Sequence, residues 1–380
     1  MYFIIFYCIP LLLLAWLADK NAKSKGGYIF KTFLILFISI ISVFTAPVAI
    51  DHEDYVHMFD SIGFYSIKDL GFSFIGTSRN IQVESGYMLI NWILAHVGVA
   101  EPYFFLIIAL VINTAIISFA YKHRYPIFTI AYIFIGGQIL INEQNLVRQF
   151  LASSIFLFAI YYLENHQRLK YLLLIFLASL IHVSAIVLAF FVLCDDNEKK
   201  GLLSSHNTGR RGQYVVSLLY IFSIVSIVFP AIIQNILFSS LFDYYAIYQN
   251  AEKGIGMSTP IVYLFFYNIF AILAIVFWGK TSKVLAANAI AMAVVYNFSL
   301  SVPNALRLQA YFLVPTVVFI FHSVLSNHKG QSLLLGKEVT KVSLFIVGVY
   351  LLESAFNNFV FTKTLLLSET YKIEDFLSIF

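Results

Sequence analysis

Long apolar stretches separated by short polar segments run along almost the whole chain. Eleven of them are candidates for membrane-spanning helices, since a helix that crosses the hydrocarbon core needs about 20 mostly apolar residues. They are Tyr2–Ala18, Ile29–Ile50, Tyr103–Ala120, Ile127–Ile141, Phe150–Leu163, Tyr171–Leu193, Tyr214–Leu237, Pro260–Trp278, Val284–Val302, Leu308–Leu325 and Val342–Phe361. The shorter stretch Gly86–Val99 carries polar residues and is predicted to be interfacial or re-entrant. The pattern predicts an all-α polytopic integral membrane protein with about 11 transmembrane helices.

Composition agrees with a polytopic membrane protein and excludes several other classes of protein. Of 380 residues, 60% are hydrophobic and 12% are charged, against about 25% charged residues in a typical soluble domain. Two cysteines cannot form a disulfide framework, and a net charge of +4 gives no support to nucleic-acid binding. The sequence contains no Walker loop, GxGxxG, HExxH or GxSxG motif, so we expect no cofactor and no metal.

The distribution of basic residues predicts an orientation. Lys20, Lys23 and Lys25 follow the first apolar stretch, and the positive-inside rule therefore places the N-terminus outside and this loop in the cytoplasm. Nothing basic precedes Lys20, which argues against a signal peptide. The segment 51–84 then faces outward, and its six acids and two bases give it a charge of −4. We expect a single transmembrane domain, residues 1–380, that includes this outer loop and a polar linker at 194–213.

Strict alternation of the crossings fails later in the chain. Lys280 and Lys283 belong inside by their charge, yet one crossing per apolar stretch puts them outside. One stretch must therefore be broken or re-entrant. The candidates are Tyr171–Leu193, with His182 at its middle, and Tyr214–Leu237, with Pro230 close behind its core. Irregular backbone at membrane depth is tolerated where it is buried in protein or lines a wet cavity.

Polar residues next to apolar stretches are the candidate functional groups, because charge in the hydrocarbon is costly. Arg148 opens an apolar helix; it is either a side chain that snorkels to the interface or a guanidinium that grips a phosphate through two parallel hydrogen bonds. Arg307 follows Pro303, and the same two interpretations apply to it: an anchor at the end of a helix or a ligand of a phosphate. His182 is either a packed core residue or a general base. The acids of the outer loop either solvate it or bind substrate.

Five short motifs in a fixed order carry a family resemblance. They are Asp54-Tyr55; Glu84-Ser85-Gly86-Tyr87 with Asn91; Arg148-Gln149-Phe150-Leu151-Ala152; His182-Val183-Ser184-Ala185; and Arg307 with Tyr311 four residues later. Together they span roughly residues 50–315, and the chain resembles the EpsG-like branch of the Wzy-type polysaccharide polymerases. One departure is that Asn304-Ala305-Leu306 precedes Arg307 where a compact Asn-Arg pair can occur.

The resemblance implies a glycosyltransferase of the bacterial inner membrane whose active site faces the periplasm. It would join undecaprenyl-pyrophosphate-linked oligosaccharide units of O-antigen or capsule, within membrane lipid, and a chain-length regulator is a further candidate partner. The hypothesis assigns the donor pyrophosphate to Arg148 and Arg307, and the acceptor proton to Glu84 or His182. The substrate-binding candidates are Asp51, Asp54, Tyr87, Asn91, Glu143, Gln149 and Tyr311.

Other activities on a lipid-linked sugar remain open from the sequence. A flippase or transporter predicts internal symmetry between the two halves of the chain, and none is visible. A multi-pass glycosyltransferase that adds single sugars would also use acids in an early outer loop. A membrane acetyltransferase is a further alternative, since one histidine and one arginine do not exclude it.

Overall fold

The computed structural model describes residues 7–45, 51–66, 76–78, 81–123, 126–136, 139–195, 211–229, 261–278 and 282–325. The predicted stretch Val342–Phe361, Pro230 and most of the linker 194–213 lie outside these residues. Within them the chain is helical apart from one antiparallel pair, in which Gly76–Ser78 (β1) pairs with Ile81–Val83 (β2). The prediction of an all-α fold is therefore confirmed for the described residues, with this short strand pair added.

Most of the described helices follow the apolar stretches with shifts of a few residues at their ends, whereas α3 lies in the predicted outer loop, where no helix was predicted. The α-helices are α1 Ile9–Lys20, α2 Lys25–Thr45, α3 His52–Ile62, α4 Ser85–His96, α5 Glu101–Lys122, α6 Pro126–Ala131, α7 Ile139–Asn145, α8 Val147–Glu164, α9 Arg168–Ile181, α10 Arg211–Val228, α11 Ile261–Val276, α12 Lys283–Ser299 and α13 Gln309–Leu325. A π-helical turn, Tyr132–Gly136, follows α6. Two 3-10 helices, Val183–Cys194 and Pro303–Leu308, precede α10 and α13 respectively.

Two of the described helices are long and apolar enough to cross a membrane. They are Lys25–Val43, with a mean hydropathy of 1.9 over its most apolar window, and Glu101–Lys122, with 2.3. Shorter apolar helices lie at Val183–Cys194, Gly212–Val228, Tyr263–Val276, Lys283–Ser299 and Ala305–Phe321. Length and composition therefore support part of the predicted set of spanning helices.

The described elements belong to two compact units. The first contains α1, α2, α3, α5, α6 and α7, and the second contains the strand pair, α4 and the elements from α8 onward. In the first, the buried phenol of Tyr7 donates a hydrogen bond to the carbonyl of Phe134 at 3.0 Å. In the second, Ser153 of α8 donates to the carbonyl of Ala310 in α13 at 2.7 Å. The single-domain organisation stays a prediction.

The stretch Tyr171–Leu193 folds into a helical hairpin. Helix α9 ends at Ile181, His182 is extended with φ −150° and ψ 118°, and the 3-10 helix begins at Val183. The far ends of the two arms meet, because Arg168 donates from Nε to Oδ2 of Asp195 at 2.5 Å. Along the arms, the Tyr171 phenol donates to the Leu188 carbonyl at 2.5 Å. The predicted break at His182 is confirmed, and the histidine forms the turn of the hairpin.

Candidate functional site

Glu84 is the centre of a buried group of hydrogen-bonded side chains in the second unit. Its Oε2 accepts a hydrogen bond from Nη1 of Arg148 at 2.6 Å. Its Oε1 accepts from Nδ1 of His182 at 2.6 Å and from the main-chain N–H of Val183 at 3.1 Å. Glu84 is only 5% exposed, so this carboxylate holds a guanidinium and an imidazole on its two oxygens with little competition from solvent.

The local sequence explains why Glu84 lies beside His182. Glu84 follows β2 directly and stands in extended conformation at the N-cap of α4. Two residues later, a Cβ on Gly86 would lie 2.6 Å from the carbonyl oxygen of Leu180, which is main chain and cannot swing aside. Glycine therefore allows the start of α4 to touch the end of α9. This contact brings Glu84 next to the residue that follows α9.

The two ring nitrogens of His182 have different hydrogen-bond partners. An ionised carboxylate only accepts hydrogen bonds, so Nδ1 of His182 is the donor to Glu84. On the other side of the ring, Nε2 of His182 lies 2.8 Å from the amide nitrogen of Gln149. An amide nitrogen donates, and Nε2 therefore accepts with its lone pair in this arrangement. In this arrangement Nδ1 of His182 faces the Glu84 carboxylate and Nε2 faces the Gln149 amide.

The environment of Glu84 keeps its carboxyl ionised. Burial alone would raise the pKa of Glu84, but the hydrogen bond from His182 and the positive charge of Arg148 lower it to about 2. At neutral pH the group therefore carries a full negative charge. It accepts hydrogen bonds from both basic side chains in this charged form.

Arg148 and Gln149 both lie in the first turn of α8, which begins at Val147. The Arg148 side chain is 25% exposed, whereas that of Glu84 is 6% exposed. Arg148 is therefore the member of the ion pair that solvent, or a bound anion, reaches more easily. The unpaired N–H groups of a helix N-terminus favour negative charge at the same end. We call Glu84, Arg148, Gln149 and His182 the Glu84 cluster.

A second polar contact joins the hairpin to α13. The hydroxyls of Ser184 and Tyr311 lie 3.0 Å apart, and Tyr311 is fully buried. Ser184 was not among the predicted site residues, although it belongs to the His-x-Ser-Ala motif; its position two residues after His182 was the available signal.

Arg307 lies one helical turn before Tyr311, within the 3-10 helix Pro303–Leu308 rather than at the start of an α-helix. Its side chain is half-buried. Among the residues that the structure describes, it has neither a hydrogen-bond partner nor an ion-pair partner. Its charge is therefore not compensated by a described carboxylate, in contrast to that of Arg148.

Tyr87 and Asn91 are buried one helical turn apart on α4, in the same unit as Glu84. The amide nitrogen of Asn91 donates to the Tyr87 carbonyl at 2.8 Å, which is a hydrogen bond within α4. The amide oxygen of Asn91 has no partner among the described residues. It remains a candidate acceptor for a sugar hydroxyl.

The other predicted site residues belong to the first unit. Asp51 is half-buried and Asp54 is exposed at the start of α3, whereas Glu143 is fully buried in α7. Hydrogen bonds connect Glu84, Arg148, Gln149 and His182 within the second unit, and the roles of the three acids stay predictions. Among the described residues no three His, Cys, Asp or Glu side chains converge as metal ligands.

The EpsG family model matches residues 28–371 of the chain. No curated protein and no solved structure matches the chain. The matched region covers about nine-tenths of the sequence and includes every residue of the Glu84 cluster. The chain therefore belongs to the EpsG family, a family of Wzy-like polymerases.

Proposed function

We propose that this protein is a membrane glycosyltransferase that polymerises undecaprenyl-pyrophosphate-linked oligosaccharide units at the periplasmic face of the inner membrane. Membership of the EpsG family indicates a polysaccharide-polymerase-like membrane protein, and the substrate, the face and the mechanism are our proposal. The observation that carries it is the buried Glu84 carboxylate, which binds Arg148 and His182 at 2.6 Å each. This arrangement supplies a cation for a leaving phosphate and an oriented base for an attacking hydroxyl.

The hairpin at His182 supports the proposed membrane topology. Since Arg168 and Asp195 meet, the segment between them would enter and leave on the same side rather than cross. If this segment is re-entrant, every later apolar stretch crosses the membrane in the opposite direction. Lys280 and Lys283 then lie in the cytoplasm, as the positive-inside rule requires. The same count puts Arg148 and the His182 turn toward the periplasm.

The proposed reaction is a transfer of the growing chain from its lipid carrier to a new lipid-linked unit. A hydroxyl oxygen of the acceptor sugar attacks the anomeric carbon of the donor, and a glycosidic bond forms as the bond from that carbon to the pyrophosphate oxygen breaks. The pyrophosphate leaves with the bonding electrons, and the hydroxyl proton passes to the enzyme. The transition state resembles an oxocarbenium ion, as in other glycosyl transfers.

The two arginines would stabilise the departing pyrophosphate. The planar guanidinium of Arg148 can form two parallel hydrogen bonds to phosphate oxygens, which a lysine cannot do. Arg307 carries a charge that no described residue neutralises, and it lies one turn from Tyr311, which contacts the hairpin through Ser184. Removal of such a preorganised positive group from a reaction centre lowers the rate by about 10²–10³-fold.

His182 is the better candidate for the base, since a pKa of about 2 makes the Glu84 carboxylate a weak base and both of its oxygens already accept hydrogen bonds. Its Nε2 would take the hydroxyl proton once the substrate displaces the Gln149 amide from that nitrogen. The negative charge of Glu84 would then stabilise the imidazolium that forms, as the third member of a catalytic triad does. Asp51, Asp54, Tyr87 and Asn91 stay as proposed contacts to the sugars.

The experiment is complementation of a deletion strain, with the surface polysaccharide resolved by size. Wild-type protein should restore a ladder of many repeat units, and His182→Ala should leave a single repeat unit at matched protein level. A deletion strain that displays no surface polysaccharide at all would favour a flippase. Products that lack one sugar, rather than many repeats, would favour a glycosyltransferase that adds single sugars. Full-length polymer from His182→Ala would refute the proposed base.

A further inference from the structure

A buried polar cluster that the proposed reaction does not use lies in the first unit, where α5 and α7 pack against α2. Its members are Ser39, Ser42, Asn113, Glu143 and Gln144, each 2% exposed or less, and we call them the Glu143 cluster. The Glu143 carboxyl accepts a hydrogen bond from the Ser42 hydroxyl, which itself accepts one from the Gln144 amide at 2.8 Å. The Asn113 amide donates to Ser39 at 3.2 Å and also contacts the Glu143 carboxyl.

Three oxygens of this cluster lack a partner among the described residues. They are Oε2 of Glu143, Oε1 of Gln144 and Oδ1 of Asn113. Within the same residues no Lys, Arg or His forms an ion pair with Glu143. A buried acceptor without a hydrogen bond costs about 1–3 kcal/mol, and an ionised carboxylate costs more. Since all three orphaned atoms are acceptors, whatever satisfies them must donate a proton or carry positive charge.

We propose that the Glu143 cluster binds a monovalent cation of the sodium class. Two hydroxyls, two amide oxygens and one carboxylate form a set of hard oxygen ligands, which suits such ions. One carboxylate balances one positive charge, whereas a divalent ion would leave a buried excess of charge. A proton on Oε2 of Glu143 could be donated to one of the two amide oxygens, but the other amide oxygen would still lack a donor.

The proposed ion has a structural consequence for the chain that leads to Arg148. Glu143 and Gln144 form the last turn of α7, and Ser42 and Ser39 lie on α2. A cation held between them would tie the end of α7 to α2. From there the chain passes through Leu146, where the helix is interrupted, directly into α8.

The test measures thermal unfolding of the detergent-solubilised full-length protein in rising NaCl, with choline chloride replacing it at constant ionic strength. Wild type should show a saturable, sodium-specific rise in the unfolding midpoint. Glu143→Gln should lose this rise, whereas Glu53→Gln, which changes an exposed acid on α3, should keep it. An equal midpoint in both salts for the wild type would overturn the proposal, and it is also the result expected if a proton occupies Glu143.

A direct binding measurement keeps the proposal testable if Glu143→Gln fails to fold. Radioactive sodium should bind wild-type protein at one ion per chain and be displaced by unlabelled NaCl but not by choline chloride. Asn113→Ala removes one neutral ligand and should weaken the affinity by about tenfold or more. Absence of displaceable sodium from folded wild type, or unchanged affinity in Asn113→Ala, would contradict the assignment.

Discussion

Replacing Glu84 by glutamine tests the organisation of the site most sharply, because the two side chains have the same shape and differ in charge. The amide oxygen of the substituted side chain can still accept from Nδ1 of His182 and from the N–H of Val183. Its amide nitrogen would face Nη1 of Arg148 at the distance where the carboxylate now accepts a hydrogen bond, 2.6 Å. Two donors then meet, and the Arg148 charge loses its partner.

The size of the effect follows from the burial of the ion pair. Removal of one partner of a fully buried pair costs about 3–5 kcal/mol, and a hydrogen bond to a charged group contributes about 1.5–3 kcal/mol. Arg148 keeps 25% of its side chain exposed and can be partly rehydrated. We therefore expect Glu84→Gln to lower the free energy of unfolding by about 3 kcal/mol.

The pH dependence gives an independent signature. The pKa of Glu84 is lowered from 4.5 to about 2 in the folded protein. Its contribution to the free energy of unfolding is therefore complete at any pH above 4.5, the pKa in the unfolded chain. That contribution is lost as the pH falls from 4.5 toward 2. The free energy of unfolding of the wild type should therefore exceed that of Glu84→Gln by a constant amount from neutral pH down to about 5. Below that pH the difference should shrink.

Glu53→Gln is the matched control, since it makes the same chemical change at an exposed position. It should leave both stability and polymer length unchanged. Equal unfolding midpoints for Glu84→Gln and the wild type at pH 7, together with full-length polymer, would refute the role of Glu84 as the anchor of the site.

Three further substitutions probe other contacts. Gly86→Ala would place a Cβ 2.6 Å from a main-chain carbonyl and should abolish polymerisation in the complementation assay, whereas Gly26→Ala, whose nearest neighbour is a movable side chain at 3.3 Å, should not. Arg148→Lys keeps the charge but loses the planar fork; its rate of polymerisation in proteoliposomes should fall by about 10²-fold. Asp195→Asn weakens the contact that closes the hairpin and should lower the free energy of unfolding by about 1–2 kcal/mol, a modest loss since Arg168 is half exposed.

The sequence predicted the helices because their cause is local. Apolar runs of helical length mark α2 and α5 directly, and the lysines before α2 and the basic residues at the end of α5 predict the sides of the loops. The positions of Lys280 and Lys283 predicted that one earlier stretch is broken or re-entrant and left two candidates, Tyr171–Leu193 and Tyr214–Leu237; the structure shows a break in the first of them, at His182. The strand pair before Glu84 was not predicted, because a strand of three residues is too short to show an alternation of apolar and polar positions.

The sequence predicted candidate residues of the site but not how they are arranged. Glu84 and His182 are 98 positions apart, and only the contact of α4 with α9 at Gly86 joins them. The sequence left Glu84 and His182 as alternative bases, and we propose His182 because both oxygens of Glu84 already accept hydrogen bonds. The Glu143 cluster depends on three helices packing together, which no local pattern encodes.

Chemical rescue of His182→Ala by imidazole tests the central claim most directly. Purified protein in proteoliposomes would be supplied with lipid-linked repeat units, and the rate of polymerisation would be measured with and without added imidazole. We expect a loss of about 10²–10⁴-fold in His182→Ala and partial recovery that depends on the imidazole concentration. Polymerisation by His182→Ala at the wild-type rate, without imidazole, would show that the imidazole held by Glu84 takes no part in the reaction.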